Sequence, residues 1–137
     1  MSTVLSVNNI ANRQAYFWKE WVLLLLSLGK IRISLLVTLS TATGYLLAAQ
    51  EITIQMLVPA AAVLRLACGA CALNQFQERK IDALMERTKN RPLPSGKLSP
   101  SSALFISLSL IFAGSFTLFQ GASFLAGMLG LLAIFWY

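Results

Sequence analysis

The sequence contains no histidine. A histidine-ligated metal, a histidine-based catalytic triad and a histidine axial ligand to haem are therefore all excluded within these residues. Charge is scarce. Only 12% of residues are charged, and 5 Asp and Glu face 11 Lys and Arg, for a formal net charge of +6. Two cysteines cannot staple a disulfide-dense secreted module, and 4 prolines with 8 glycines exclude a collagen-like chain. After Lys97 there is no charged residue at all. What is abundant is apolar: 57% of the 137 residues, with a mean hydropathy of +0.70. A soluble domain runs at about 45–50% apolar and about 25% charged. The apolar residues here come in long blocks, so the solvent they fit is a bilayer.

Residues 1–14 are polar and lack the basic start, short apolar core and small-residue cleavage site of a signal peptide. Tyr16, Phe17, Trp18 and Trp21 then surround Lys19 and Glu20, an aromatic and charged mixture suited to the headgroup zone. Residues 15–28 are expected to form an interfacial helix, because the apolar part is too short to cross. Lys30 and Arg32 interrupt the pattern. The spans expected after them are 33–50, 52–74, 102–119 and 122–137, the last one short. The fold class expected is thus an all-α transmembrane bundle of about four membrane helices.

The connections Gln50-Glu51 and Gln120-Gly121 carry no Lys or Arg, whereas residues 74–97 carry six. Positive charge marks cytoplasmic loops, so 74–97 is expected inside and the two short turns outside. Counting crossings then puts Lys30 and Arg32 on the same membrane face as 74–97. An integral protein of a bacterial inner membrane fits this pattern.

Residues 74–97 carry the chemistry. Up to about Asn90 they hold good helix formers and no Gly or Pro, so the helix of the second span is expected to run on to about Asn90, before Pro92 and Pro94-Ser95-Gly96. On such a helix Asn74, Glu78 and Asp82 lie four apart on one face, and Glu86 extends the row. Like charges at that spacing repel by ~0.2–0.5 kcal/mol per pair. A divalent cation removes the penalty, and hard oxygen donors without Cys or His suit Mg²⁺. Arg87 and Arg91 follow, with Lys89 between them. Guanidinium groups grip phosphate oxygens in a two-pronged way. Lys30 and Arg32 on the same face would complete an anion clamp. A metal-bound diphosphate with an apolar tail in the bilayer is the ligand such a row suits. From spacing alone the segment reads equally as a solvated charged helix, with Glu78, Asp82 and Glu86 paired to Lys80, Arg79 or Lys89.

The run Asn74-x-x-x-Glu78-x-x-x-Asp82-Ala83-x-Met85-x-Arg87-Thr88-x-x-Arg91-Pro92-Leu93-Pro94-x-Gly96 resembles the first carboxylate motif of the UbiA superfamily of intramembrane prenyltransferases. Glu78, where Asp is more usual, followed by Met85-x-Arg87-Thr88, is most similar to the haem O synthase (protohaem IX farnesyltransferase) branch. Lys30-Ile31-Arg32 resembles that branch's Lys-Pro-Arg, with Ile31 in place of proline. The resemblance covers about residue 20 to the end.

The resemblance implies the N-terminal part of a nine-helix fold with a central cavity and two facing carboxylate motifs. It implies Mg²⁺ held by Asn74, Glu78 and Asp82, with Lys30, Arg32, Arg87 and Arg91 on the diphosphate. The implied donor is farnesyl diphosphate. The implied acceptor is the 2-vinyl group of haem b, a substrate rather than a cofactor. Ionisation of the donor would leave an allylic cation, protected in a dry cavity. The second carboxylate motif has no counterpart here, since no Asp or Glu follows Gly96. The expectation is therefore half of such an enzyme, inactive alone, with a separate C-terminal half or haem A synthase as partners. A non-catalytic membrane remnant, or a relative with a quinone-precursor or chlorophyll-type acceptor, are the alternatives.

Other features point elsewhere. Cys68-Gly69-Ala70-Cys71 has redox spacing but sits in an apolar span, where small residues serve helix contact. Arg65 in mid-span costs ~2.5–3.5 kcal/mol on insertion scales; it reads equally as a functional charge reaching a diphosphate or a haem propionate and as a poorly tolerated change in a drifting half-gene. The basic segment lacks the interleaved aromatics of a nucleic-acid module, so no nucleic-acid partner is expected.

Overall fold

The structure is a computed structural model and describes residues 19–137. Residues 1–18 lie outside it, and with them Tyr16, Phe17, Trp18 and the first part of the expected 15–28 helix. Residues 19–28 are helical and form α1. There follow α2 (Ile31–Ala49), a 3-10 turn (Ile54–Met56), α3 (Leu57–Asp82), α4 (Pro100–Gly121) and α5 (Phe124–Trp136). Among the described residues there is no strand. The fold is the all-helical membrane bundle that the apolar blocks imply.

Local chemistry sets the boundaries. α1 and α2 are separated by Lys30, whose backbone is left-handed (φ 44°, ψ 54°), and Gln50 ends α2 the same way (φ 56°). A left-handed L-residue cannot continue a right-handed helix. Ser99 opens α4 by accepting the Ser102 N–H at 3.1 Å, with Pro100 in the first turn; Ser123 opens α5 by accepting from Ala126 at 3.1 Å. Within α2, the hydroxyls of Thr38, Thr41 and Thr43 each donate to the carbonyl four residues back, which hides them from lipid.

Three helices are long and apolar enough to cross a membrane: Ile31–Ala49, Ile54–Asp82 and Pro100–Gly121. The 13 residues of α5 reach only ~20 Å, short of a hydrocarbon core of about 30 Å. α3, at 26 residues, is ~39 Å long and therefore overhangs the core by ~9 Å. The overhang falls on its last residues, from about Phe76 onward.

α3 is the hub. α2 and α4 both pack on it, and they do not touch each other. The α3–α4 seam is held by close approach. A Cβ on Gly114 would sit 2.9 Å from the Ala62 carbonyl and 3.0 Å from the Leu66 amide, and one on Gly69 would sit 3.0 Å from the Ser107 carbonyl. In lipid no hydrophobic drive joins helices, so backbone-to-backbone packing of this kind is what associates them. Ala62, Leu66 and Leu118 form the core of that seam. A second cluster, Leu28, Ala72, Leu93, Leu98 and Ala103, lies at the opposite end and seats α1 against the loop between α3 and α4.

One expectation fails here. The helix does not run to Asn90; it stops at Asp82, and residues 83–98 form consecutive turns. The cause is a capture of the helix end. The Thr88 hydroxyl donates to the Asp82 carbonyl at 2.9 Å, and Arg91 Nη1 donates to Asp82 Oδ2 at 2.7 Å. Both contacts bend the chain back on itself, and Pro92, Leu93 and Leu98 become buried under α1. Ala83 to Lys89 are good helix formers, but the buried pair and the apolar seat outweigh propensities of a few tenths of a kcal/mol (~0.2–0.7) per residue.

Candidate active site

The row predicted from spacing survives in part. Asn74, Glu78 and Asp82 all lie within α3, at successive turns, with Glu78 and Asp82 on the overhanging end and Asn74 just before it. Asn74 Nδ2 donates to Glu78 Oε2 at 3.1 Å, so the Asn74 amide and the exposed carboxylate of Glu78 meet one turn apart. Asp82 is buried and committed to Arg91. Glu86 does not extend the row. It lies past the helix end and pairs with Lys89 at 2.7 Å on the surface. The like-charge repulsion inferred for an unbroken helix is therefore relieved in two ways, by Arg91 at Asp82 and by displacement at Glu86.

The expected anion clamp divides similarly. Lys30 and Arg32 stand at the α1–α2 elbow, around an open hollow of about 530 Å³ lined also by Leu23, Leu26 and Ser27. The elbow is tied to the row by Gln75, the neighbour of Asn74. Its amide is 1% exposed and donates to the carbonyls of Ser27 (3.1 Å) and Leu28 (2.7 Å). Those are end carbonyls of α1, which have no partner within a helix. Ser34 adds a bond from its hydroxyl to the Gly29 carbonyl at 2.8 Å. The basic elbow is thus brought to the same end of α3 as Asn74, as the counting of crossings required. Arg87 is exposed on the 83–98 turns, whereas Arg91 is engaged with Asp82. Arg79 turns back to the Phe76 carbonyl (2.6 Å) and stacks over the Phe76 ring at 4.3 Å, so it serves the helix end.

A second hollow, about 580 Å³, opens between α1 and the turns, lined by Glu20, Trp21, Ser27, Asn90, Pro92 and Lys97 among others. Sequence reasoning singled out neither this hollow nor Gln75 nor Thr88. Thr88 lies inside the recognised motif, but a hydroxyl that accounts for a backbone carbonyl six residues away leaves no periodic signal.

Among the described residues no three His, Cys, Asp or Glu side chains gather into a ready metal cage. The donor set nevertheless fits Mg²⁺. Asn74 and Glu78 offer hard oxygens one turn apart, and Mg²⁺ characteristically takes one or two carboxylates and completes its shell with water and substrate phosphate.

The profile of the UbiA prenyltransferase family matches residues 35–137. The chain belongs to that family. Similar curated proteins are each named protoheme IX farnesyltransferase. The one from Myxococcus xanthus is 40% identical over 114 residues, which is 82% of this chain and 39% of the relative. That of Geobacter sulfurreducens is 38% identical over 112 residues, 82% of this chain and 41% of the relative. That of Pyrobaculum islandicum is 40% identical over 109 residues, 79% and 39%. The chain thus spans about two fifths of the length of the curated relatives it matches. No solved structure matches it.

Proposed function

We propose that this chain is the donor-binding part of a haem O synthase-type prenyltransferase, which moves a farnesyl group from farnesyl diphosphate to the 2-vinyl group of haem b. The observation that carries this reading is the Asn74–Glu78 contact at the overhanging end of α3, with the basic elbow pinned to the same end by Gln75. The names of the relatives support the same substrates. Such an activity requires a second carboxylate motif from further sequence, either a C-terminal half or another chain.

In this reading Asn74, Glu78 and, once released from Arg91, Asp82 hold Mg²⁺. The metal supplies positive charge for the departing diphosphate. Lys30, Arg32 and Arg87 receive the diphosphate oxygens, and Arg91 joins them when it leaves Asp82. The farnesyl tail lies along apolar helix surface, because α3 enters the bilayer near Phe76, between Asn74 and Glu78. Exclusion of water along that surface protects a cationic allyl group until the acceptor takes it.

The test is Mg²⁺-dependent binding of farnesyl thiodiphosphate, which resists ionisation, to the chain in nanodiscs. Wild type is expected to bind with Mg²⁺ and to release with chelator. Glu78→Gln should bind at least about tenfold more weakly, since it forfeits a charged metal ligand worth ~1.5–3 kcal/mol. Binding that ignores both Mg²⁺ and the substitution would sink the reading. Joined to a complementary C-terminal half, product analysis with haem b or 4-hydroxybenzoate then decides the acceptor.

A further inference from the structure

Gln75 is the odd residue of α3. It is 1% exposed, yet its amide is only half satisfied. Nε2 donates to the Ser27 and Leu28 carbonyls at 3.1 and 2.7 Å, while Oε1 meets no donor among the described residues. A buried acceptor without a partner costs free energy that a methionine of the same length would not incur. Filling space is therefore not what the amide contributes. It contributes two directional bonds to a backbone 48 and 47 residues away.

Those bonds act on the elbow. α1 and the elbow rest on one stripe of α3, made by Cys68, Ala72 and Gln75 at helical spacing. A Cβ on Gly29 would lie 3.2 Å from Cys68 Cβ, and Leu28 shares a core cluster with Ala72. These are contacts between small or apolar groups, which are non-directional and resist separation better than sliding. The two bonds from Gln75 add direction, and they act on the chain just before Lys30. Beyond them, the Ser34 hydroxyl donates to the Gly29 carbonyl at 2.8 Å, and the Lys30 backbone is left-handed (φ 44°). From Ser27 to Gly29, three successive carbonyls are thus held by side chains, and Gln75 supplies the bonds that register this segment on α3.

The stripe runs beside the carboxylate row. Asn74 and Glu78 lie on the same side of Gln75, about 100° and about 60° round the helix. One stretch of α3 therefore carries both the metal-side groups and the fixture for the anion-side groups.

We propose that Gln75 is a positioning residue of the donor site. It touches neither cation nor diphosphate. It sets the separation between Lys30 and Arg32 on one side and Asn74 and Glu78 on the other, so that a single diphosphate is held by both. This rests on the donor-site reading of those four residues, and adds that Gln75 acts through the elbow alone.

The test is a double-mutant cycle, read as Mg²⁺-dependent binding of farnesyl thiodiphosphate to the chain in nanodiscs. Gln75→Met should weaken binding about tenfold or more. In a Lys30→Gln/Arg32→Gln background the same substitution should change binding by less than about twofold, because its route is already gone. In a Glu78→Gln background it should cost about tenfold again. A general loss of structure would weaken binding in both backgrounds alike. A covalent substitute supplies the rescue. Gly29→Cys brings its Cβ within a few tenths of an ångström of the ~3.5–4.5 Å span of a disulfide to Cys68. Oxidised with diamide, Gln75→Met/Gly29→Cys should recover most of the binding and lose it again on reduction. If Gln75→Met fails to fold, Gln75→Asn, one methylene too short to reach both carbonyls, takes its place in the cycle. Wild-type binding by the Gln75 variant, an equal loss in every background, or weak binding by the double variant with its disulfide confirmed by mass would each overturn the proposal. A wild type that binds without Mg²⁺, or that is indifferent to the Lys30 and Arg32 substitutions, would overturn the donor-site reading and the proposal with it.

Discussion

The two ends of this bundle are built on different physics. At the Gln50-Glu51 and Gln120-Gly121 end, the α3–α4 seam rests on glycines that bring backbones to within van der Waals distance, and side-chain hydrogen bonds are few. At the other end, α1 and the 83–98 turns are joined to α3 by side-chain bonds from Gln75, Thr88 and Arg91, and Ser34 ties α2 to the elbow. The first kind of join is insensitive to which apolar residues surround it but intolerant of added volume. The second tolerates volume poorly or well depending on whether a polar group is left alone. A membrane enzyme needs both. Packing supplies a stiff frame inside lipid, and directional bonds place charged groups where water and substrate meet it.

That contrast can be broken at the packed seam. Gly114→Leu forces a side chain into the Ala62 carbonyl and Leu66 amide and is expected to cost about 3 kcal/mol or more, read as lost thermal stability in detergent. If the seam tolerates it, close approach is not what joins α3 to α4. An intermediate effect is expected at the bonded end. Arg91→Met leaves the buried Asp82 carboxylate without its partner and should cost about 2 kcal/mol, with the exposure of Arg91 holding it below the full cost of a buried pair. Its signature is local: faster protease cleavage within 83–98 at unchanged helix content by circular dichroism. Cleavage at the wild-type rate would mean that Thr88 and the Leu93–Leu98 seat close the turns unaided. The smallest effect belongs to the surface. Glu86→Gln removes an exposed pair with Lys89 and should change stability by less than about 0.5 kcal/mol. A larger loss would show that Glu86 reaches a partner beyond Lys89.

The same contrast explains what could be read from the sequence. Three of the four expected spans, the gathering of basic residues at one end of α3 and the four-residue rhythm of Asn74, Glu78 and Asp82 are local and periodic, and they appear in the structure; the fourth span is a helix too short to cross. The family is legible too, because its motif is a continuous string. The joins are non-local. Asp82 meets Arg91 across nine residues, Gln75 meets Leu28 across 47, and Arg65 meets Thr117 across 52. No spacing rule encodes such pairs, so the early end of α3 and the displacement of Glu86 were invisible. Helix formers in 83–89 pointed the wrong way, because propensity is a weak force beside a buried ion pair.

The overhang of α3 carries a consequence for the membrane around it. Its last turns and its lipid-embedded turns belong to one rod, so the height of Glu78 above the hydrocarbon is set by how thick the bilayer is. A thicker bilayer submerges Phe76 first and then draws Glu78 toward a medium where a carboxylate costs several kcal/mol, roughly 2.5–3.5 at full depth. A thinner one lifts the row clear. If the row holds Mg²⁺ as proposed, acyl-chain length controls its readiness to take the cation, and Mg²⁺-dependent ligand binding in vesicles of graded chain length is the measurement in which it would register.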